Sequence, residues 1–166
     1  ARTGVLSDSR GLYPRLTARE NIVYYGALQG MSRAAADARA CELAQMFDMT
    51  ALLDRRTDGF SQGERMKTAL ARALVHDPRV LLLDEPASGL DPQARIDLRL
   101  LLRSLAAEGR TVLVSSHILS ELEEVVDDAV FMVQGETVSS ERVAEAAGRA
   151  RTWRVRLADR DAVAAA

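Results

Sequence analysis

The most informative segment of the sequence is Val80-Leu81-Leu82-Leu83-Asp84-Glu85-Pro86. Four apolar residues suited to a buried β-strand are followed at once by two carboxylates. Neighbouring acidic side chains repel each other, so their pairing at the end of a strand indicates a function. In an open parallel sheet, ligands bind at the carboxyl ends of the strands, where one carboxylate can hold Mg²⁺ while its neighbour orients water. Taken alone, such a segment is more often a core strand that enters an acidic turn.

Three further motifs surround this segment. Upstream, Phe60-Ser61-Gln62-Gly63-Glu64 precedes a pattern of apolar residues at helical spacing. Downstream, Ser88-Gly89-Leu90-Asp91-Pro92 predicts a turn into a helix, with Asp91 placed to cap it. The apolar strand Thr111-Val112-Leu113-Val114 then runs into Ser115-Ser116-His117. Each motif alone is a weak signal, and the four in this order form a specific one.

Together, these motifs resemble the nucleotide-binding domain of the ATP-binding cassette (ABC) family. The resemblance runs from about Gly4 to Gly135 and is greatest to bacterial export subunits of the sodium and drug efflux type. It implies an α/β fold, namely a P-loop NTPase-like, mostly parallel sheet flanked by helices with a small helical signature subdomain. It also implies an ATPase that uses ATP and Mg²⁺ as cofactors.

The resemblance assigns catalytic roles to three residues. Asp84 matches the Walker B aspartate, which helps to hold Mg²⁺ through water. Glu85 matches the general base that polarises the attacking water, and His117 matches the switch histidine that contacts the γ-phosphate. A lone histidine after a strand is more often a surface or capping residue, so the assignment of His117 depends on the motifs around it. The other histidine, His76, serves as a comparison. It is predicted to lie at the end of a helix, where interaction with the helix dipole is a sufficient role for it.

The signature loop of the family matches Ser61, Gln62, Gly63 and Glu64. Ser61 can cap the helix, and Gly63 lets backbone N–H groups approach an anion without a Cβ in the way. In the family this helix tip binds the ATP of the opposite subunit, so the resemblance assigns all four residues to the nucleotide, together with Asp91 of the D-loop. Gln62 and Glu64 depart from the usual pattern, and Glu64 brings negative charge toward an expected polyanion.

The sequence contains no Gly-x-x-x-x-Gly-Lys-Ser/Thr, so the Walker A loop of the family has no match in its 166 residues. We therefore expect the chain to be an amino-terminally truncated piece of a longer subunit and to hydrolyse little ATP by itself. Asp8 lies where the Q-loop of the family has a glutamine. An aspartate is still an oxygen ligand for Mg²⁺, and a plain surface turn is the competing interpretation.

The sequence divides into four segments: 1–14, the end of a core strand and the Q-loop region; 15–77, the helical signature subdomain; 78–140, the catalytic core with Walker B, D-loop and switch histidine; and 141–166, the start of a C-terminal accessory region. Thr17 with Glu20 predicts a capping box, and Ser32 begins a second helix. Three basic residues of the signature helix are expected on a solvated face: Arg65, Lys67 and Arg72.

In the core, the pattern predicts a helix from about Pro92 to Ala107, a strand at Thr111–Val114 and a helix through Leu119, Leu122 and Val125. A strand from Ala129 to Val133 and a short edge strand at Thr137–Ser139 follow, joined by a turn at Gln134-Gly135-Glu136.

Composition restricts the possible partners. A net charge of −2 with scattered basic residues argues against nucleic acid, and the single cysteine excludes an internal disulfide. The resemblance implies a second nucleotide-binding subunit, as a homodimer, and a transmembrane permease. It also implies a peripheral position on the cytoplasmic face of the plasma membrane. Two alternatives stay open, namely a non-hydrolysing regulatory cassette module and a soluble ABC protein that acts on ribosomes or DNA.

Overall fold

A computed structural model of the chain describes residues 2–7, 11–118, 126–133 and 136–142. The chain divides into two compact units, residues 1–125 and 126–166, and the candidate site lies in the first. Several predictions fall outside the described residues: Asp8, the helix through 119–125, the turn at 134–135 and most of the segment 141–166.

The first unit contains a three-stranded parallel sheet. Its strands are β1 (Thr3–Leu6), β2 (Val80–Asp84) and β3 (Thr111–Ser115), in the order β1-β2-β3. The register pairs Leu6 with Leu83 and Asp84 with Ser115, so the three carboxyl ends meet at one edge. This arrangement confirms the predicted α/β fold with a parallel sheet, and it places the acidic pair at the edge where ligands bind.

The helices of the first unit begin at the predicted caps and are α1 (Ala18–Leu28), α2 (Arg33–Met46), α3 (Gln62–Leu74) and α4 (Pro92–Ala107), with a 3₁₀ turn at Thr50–Leu52. The predicted capping box is present in α1, where the Thr17 hydroxyl accepts from Glu20 N–H and the Glu20 carboxylate accepts from Thr17 N–H. Ser32 caps α2 in the same way through the backbone N–H of Ala35. These side chains satisfy amides that have no partner within the helix.

The core forms where α3 packs against β1 and α4 against β3. Met66, Leu70 and Leu74 of α3 are buried at helical spacing, as the apolar pattern predicts. Strand β1 approaches α3 so closely that a Cβ on Gly4 would lie 2.3 Å from the carbonyl oxygen of Ala73. Only glycine fits at this crossing.

Arg72 corrects one expectation for the signature helix. The sequence places it on a solvated face, yet the residue is 4% exposed. Its guanidinium lies 4.2 Å from the centroid of the Tyr25 ring, and its Nη1 donates to the carbonyl of Gly11 at 2.7 Å. Burial lowers the pKa of Arg72 because the charged form loses water. The side chain therefore holds α1 and the segment at Gly11 against α3, while Arg65 and Lys67 are half-buried.

One face of the sheet presents apolar side chains to solvent. Val5, Leu82 and Leu113 are neighbours in the register, and they are 55%, 36% and 62% exposed. The opposite face carries Leu6, Leu81 and Leu83, which are buried in the core.

The second unit contains an antiparallel pair, β4 (Asp128–Val133) and β5 (Glu136–Arg142), with a register shift between Phe131 and Met132. Strand β4 matches the prediction within a residue, and β5 is longer than the expected Thr137–Ser139. Among the helices that the structure describes, none has the length and apolar character needed to span a bilayer.

Candidate active site

A hydroxyl group links the two carboxylates at the end of β2. Ser115 Oγ donates to Asp84 Oδ1 at 2.6 Å, and Glu85 N–H donates to Ser115 Oγ at 3.1 Å. The contact forms because the register pairs Asp84 with Ser115 across neighbouring strands. Ser115 has no role among those predicted from the sequence. Its only signal is its place at the end of a strand, two residues before His117.

Glu85 and His117 are in direct contact. A single carboxylate oxygen, Glu85 Oε1, lies 2.9 Å from His117 Nδ1 and accepts from His117 N–H at 3.0 Å. An ionised carboxylate only accepts hydrogen bonds, so the ring contact is a hydrogen bond when Nδ1 carries the proton. The Glu85 side chain is 24% exposed and that of His117 is 73% exposed. The imidazole therefore faces solvent while its partner is largely enclosed.

The backbone of Glu85 is strained. Its φ of 46° lies in the left-handed region, which costs a residue with a Cβ about 1 kcal/mol. The chain leaves β2 here in a turn closed by Ser88 N–H, which donates to the carbonyl of Glu85 at 3.1 Å. Residues held in such conformations cluster at functional sites, where the surrounding structure fixes them.

The structure thus brings Asp84, Glu85 and His117 into one hydrogen-bonded group through Ser115. His76 is not part of this group, because its Nε2 lies 3.1 Å from the carbonyl of Thr3, at the amino end of β1. Only one of the two histidines therefore belongs to the candidate site. The catalytic roles of the three residues stay predictions.

The tip of α3 is closed by a capping box. Ser61 Oγ accepts from Glu64 N–H at 3.2 Å, and Glu64 Oε2 accepts from Ser61 N–H at 2.7 Å. Arg55 Nη1 lies 3.6 Å from Glu64 Oε1. The Glu64 carboxylate therefore binds the start of its own helix and lies near the positive charge of Arg55. This reduces the repulsion of a bound polyanion that the sequence predicts for Glu64. The N–H of Gly63 takes no part in the box.

The signature tip lies against the loop that follows the acidic pair. A Cβ on Gly89 would lie 3.9 Å from Cγ of Gln62, and a Cβ on Gly63 would lie 3.5 Å from Cβ of Ala94. Gly89 has a φ of 70°, which favours glycine in this turn. Asp91 Oδ1 accepts from Ala94 N–H at 2.9 Å, so the observed contact of Asp91 is the predicted helix cap. Its assignment to the nucleotide stays a prediction.

Helices α3 and α4 follow the two loops that meet here, and they begin in the same way. In α3, Arg65 Nε donates to the carbonyl of Phe60 at 3.1 Å, and in α4, Arg95 Nε donates to the carbonyl of Leu90 at 3.1 Å. In each case an arginine of the first turns binds the carbonyl that immediately precedes the cap. Phe60 and Leu90 are themselves buried, so both loops are fixed to their helices at two points.

The donor set fits a magnesium ion that is bound mainly by nucleotide and water. Asp84 is exposed at the sheet edge, and Ser115 occupies one of its two carboxylate oxygens. Within residues 2–7, 11–118, 126–133 and 136–142, no three acidic, histidine or cysteine side chains form a group that could hold a metal ion. Mg²⁺ in nucleotide enzymes takes one or two carboxylates together with phosphate oxygens and water, so one carboxylate is sufficient.

Comparison with known proteins agrees with this geometry. The family model described as ABC transporter matches residues 1–88. The chain is 42% identical over 138 residues to the ABC transporter ATP-binding protein NatA of Bacillus subtilis (strain 168), a match that covers 82% of this chain and 56% of NatA.

Two further relatives are more distant. The Nod factor export ATP-binding protein I of Burkholderia lata is 39% identical, over 83% of this chain and 45% of the relative. The linearmycin resistance ATP-binding protein LnrL of Bacillus subtilis (strain 168) is 32% identical, over 83% of this chain and 44% of the relative. The chain thus spans about half the length of the curated relatives that it matches. With parallel strands ending in an acidic pair, a capped signature helix and these matches, the chain belongs to the ABC transporter family.

Proposed function

We propose that the complete gene product is the ATP-binding and ATP-hydrolysing subunit of an ABC transporter. It works as a head-to-tail dimer and couples hydrolysis to transport by a separate transmembrane permease. The observation that carries the proposal is the hydrogen-bonded group of Asp84, Glu85 and His117, built on a strained backbone at the end of a parallel strand.

Glu85 is arranged to take a proton from water. Both donors of His117 bind the same oxygen, Oε1, and so fix the rotation of the carboxylate. The second oxygen, Oε2, then accepts the proton of the attacking water. Because the carboxylate is largely enclosed, fewer water molecules compete for this oxygen.

His117 is arranged to bridge Glu85 and a phosphate. With Nδ1–H directed at Glu85, Nε2 would donate to a γ-phosphate oxygen only when the ring carries its second proton. The same ring then orients the base and neutralises charge on the group that is transferred.

Asp84 would hold Mg²⁺ through water, and the bound ion would supply positive charge to the β- and γ-phosphates. At the other surface, the N–H of Gly63 and the Ser61 hydroxyl would receive the γ-phosphate of ATP held by the second subunit. The site is therefore completed by a second copy, which supports the homodimer.

The experiment compares Glu85→Gln with the wild type in the complete gene product assembled with its permease. Glutamine keeps the size of the side chain and can still accept at Oε1, but it cannot take a proton. We expect ATP binding to persist while turnover falls about 100-fold or more. Glu42→Gln is the matched control, because Glu42 is an exposed carboxylate on α2 that pairs with Arg39.

Two results would count against the proposal. Unchanged hydrolysis by Glu85→Gln would remove the base role from this residue, and a wild-type protein that hydrolyses no ATP would contradict the ATPase as a whole. The Glu85→Gln protein should also form a stable dimer when ATP is added, as measured by light scattering. Sedimentation with membranes only when the permease is co-expressed would support a peripheral position on the cytoplasmic face.

A further inference from the structure

We propose that Ser115 is a positioning residue that sets the orientation of both carboxylates of the site. This inference rests on the proposed ATPase function. Its basis is that one hydroxyl group contacts the side chain of Asp84 at 2.6 Å and the backbone N–H of Glu85 at 3.1 Å. Ser115 thus binds both residues of the acidic pair.

The direction of the two hydrogen bonds is fixed by chemistry. A backbone N–H only donates, so Ser115 Oγ accepts from Glu85. The hydroxyl has a single proton, and an ionised carboxylate only accepts, so that proton goes to Asp84 Oδ1. The Glu85 N–H therefore donates to the Ser115 hydroxyl, and the hydroxyl donates to the Asp84 carboxylate.

The first consequence concerns Asp84. Because its Oδ1 is bound to Ser115, the carboxylate is held in one rotamer and its Oδ2 faces other ligands. A magnesium-bound water would meet this oxygen at a defined position. Partners of this kind, which orient a metal-binding carboxylate, typically contribute about 10-fold to 100-fold in metal affinity or activity.

The second consequence concerns the strained peptide of Glu85. Its φ of 46° is maintained by hydrogen bonds on both sides, from its N–H to Ser115 and from Ser88 N–H to its carbonyl. An alanine at position 115 removes the first of these bonds. The Glu85 backbone is then free to relax, and the carboxylate that should meet the attacking water moves with it.

A purely structural role does not account for Ser115. The residue is exposed at the end of β3, and both of its hydrogen bonds are accessible to solvent. Water can therefore replace the hydroxyl as a partner, and little stability is lost. What water does not replace is the fixed geometry between Asp84 and Glu85.

The test uses three variants of the complete gene product, assembled with its permease. Ser115→Ala removes the hydroxyl, Ser115→Thr retains it on a residue that strands favour, and Thr111→Ala removes a hydroxyl from the exposed amino end of the same strand. The readouts are kcat and KM for ATP, the thermal unfolding midpoint, and the affinity for Mn²⁺ by electron paramagnetic resonance with a non-hydrolysable ATP analogue. The Mn²⁺ measurement does not depend on turnover.

For Ser115→Ala we expect kcat to fall about 10-fold to 100-fold and Mn²⁺ to bind more weakly, with KM for ATP and the unfolding midpoint little changed. Ser115→Thr should recover most of the rate, and Thr111→Ala should match the wild type. Wild-type values of kcat and Mn²⁺ affinity in Ser115→Ala would overturn the inference. The inference would also be overturned if Ser115→Thr lost kcat to the same extent, or if the loss of kcat in Ser115→Ala were accompanied by a lowered unfolding midpoint.

These outcomes are separate from a failure of the proposed function. If the wild type hydrolyses ATP and Ser115→Ala equals it, only the role of Ser115 is wrong. If the wild type hydrolyses none, the ATPase itself is wrong, and the role of Ser115 fails with it.

Discussion

Replacing Gly63 by alanine should stabilise the fold and abolish the function at the same time. Gly63 lies in the first turn of α3, with a backbone φ outside the left-handed region that would require glycine. The added Cβ would lie 3.5 Å from Cβ of Ala94, which is an ordinary van der Waals contact. Among the residues that the structure describes, the substitution therefore meets no steric obstacle.

The expected gain in stability comes from the unfolded state. Alanine has less backbone freedom to lose than glycine, so the free energy of unfolding should rise by about 0.5 to 1 kcal/mol. The expected loss of function comes from the same methyl group. It lies beside the N–H of Gly63, where a phosphate oxygen would have to approach within about 3 Å to form a hydrogen bond. Loss of one such donor to a transferred group lowers turnover about 100-fold.

The measurements are urea unfolding of the purified protein and ATP turnover of the complete gene product with its permease. Ser104→Ala is the matched control, because it raises helix propensity at an exposed position of α4 without touching the site. We expect this control to be slightly stabilised and fully active. Normal turnover in Gly63→Ala would refute the assignment of the α3 tip to the nucleotide, and lowered stability would refute the geometry of the contact with Ala94.

Two further predictions concern stability. Gly4→Ala would place a Cβ 2.3 Å from the carbonyl oxygen of Ala73, so the free energy of unfolding should fall by at least ~2 kcal/mol in urea titrations, and an unchanged midpoint would show that β1 does not approach α3 this closely. Arg110 holds the pKa of Asp77 below its usual value of 3.8 through a 2.8 Å hydrogen bond. The folded state thus binds a proton at Asp77 less readily than the unfolded state does. The contribution of Asp77 to the free energy of unfolding is therefore complete above its usual pKa, and it is lost as the pH falls through the lower pKa of the folded state. Asp77→Asn is a suitable variant, because asparagine tolerates the φ of 52° at this position. We expect the free energy of unfolding to fall less steeply at acid pH than in the wild type, by only about 0.5 kcal/mol because the Asp77 side chain is exposed. The same loss of stability at acid pH in Asp77→Asn and in the wild type would contradict the role of this pair.

The elements that sequence predicts best are those with local signals at both ends. Helix α4 runs from Pro92 to Ala107 as predicted, because Asp91 caps its start and Gly109 ends it. The capping box of α1 is equally local, since Thr17 and Glu20 lie within four consecutive residues. For α3 the sequence predicted the Ser61 cap but not the part that Glu64 plays in it. Strand β2 follows from its apolar run and the acidic pair at its end.

Contacts between distant segments are what the sequence could not predict. Arg72 is buried because Tyr25 and Gly11 come from other parts of the chain to meet it, and a pattern of charges along one helix contains no information about them. The bond from Ser115 to Asp84 depends on the register between two strands 31 residues apart in sequence. The same register brings the Ser115 hydroxyl within reach of the Glu85 N–H, which donates to it at 3.1 Å. The motifs locate the site, and the register completes it.

Gln62 at the tip of α3 lies next to Gly89 in the turn beyond Glu85, since a Cβ on Gly89 would be 3.9 Å from Gln62 Cγ. Arg65 and Arg95 bind each loop to its own helix, so neither loop can shift without its helix or without breaking a hydrogen bond. A displacement of the α3 tip toward Gly89 would therefore bring Gln62 against a turn that is itself fastened to α4.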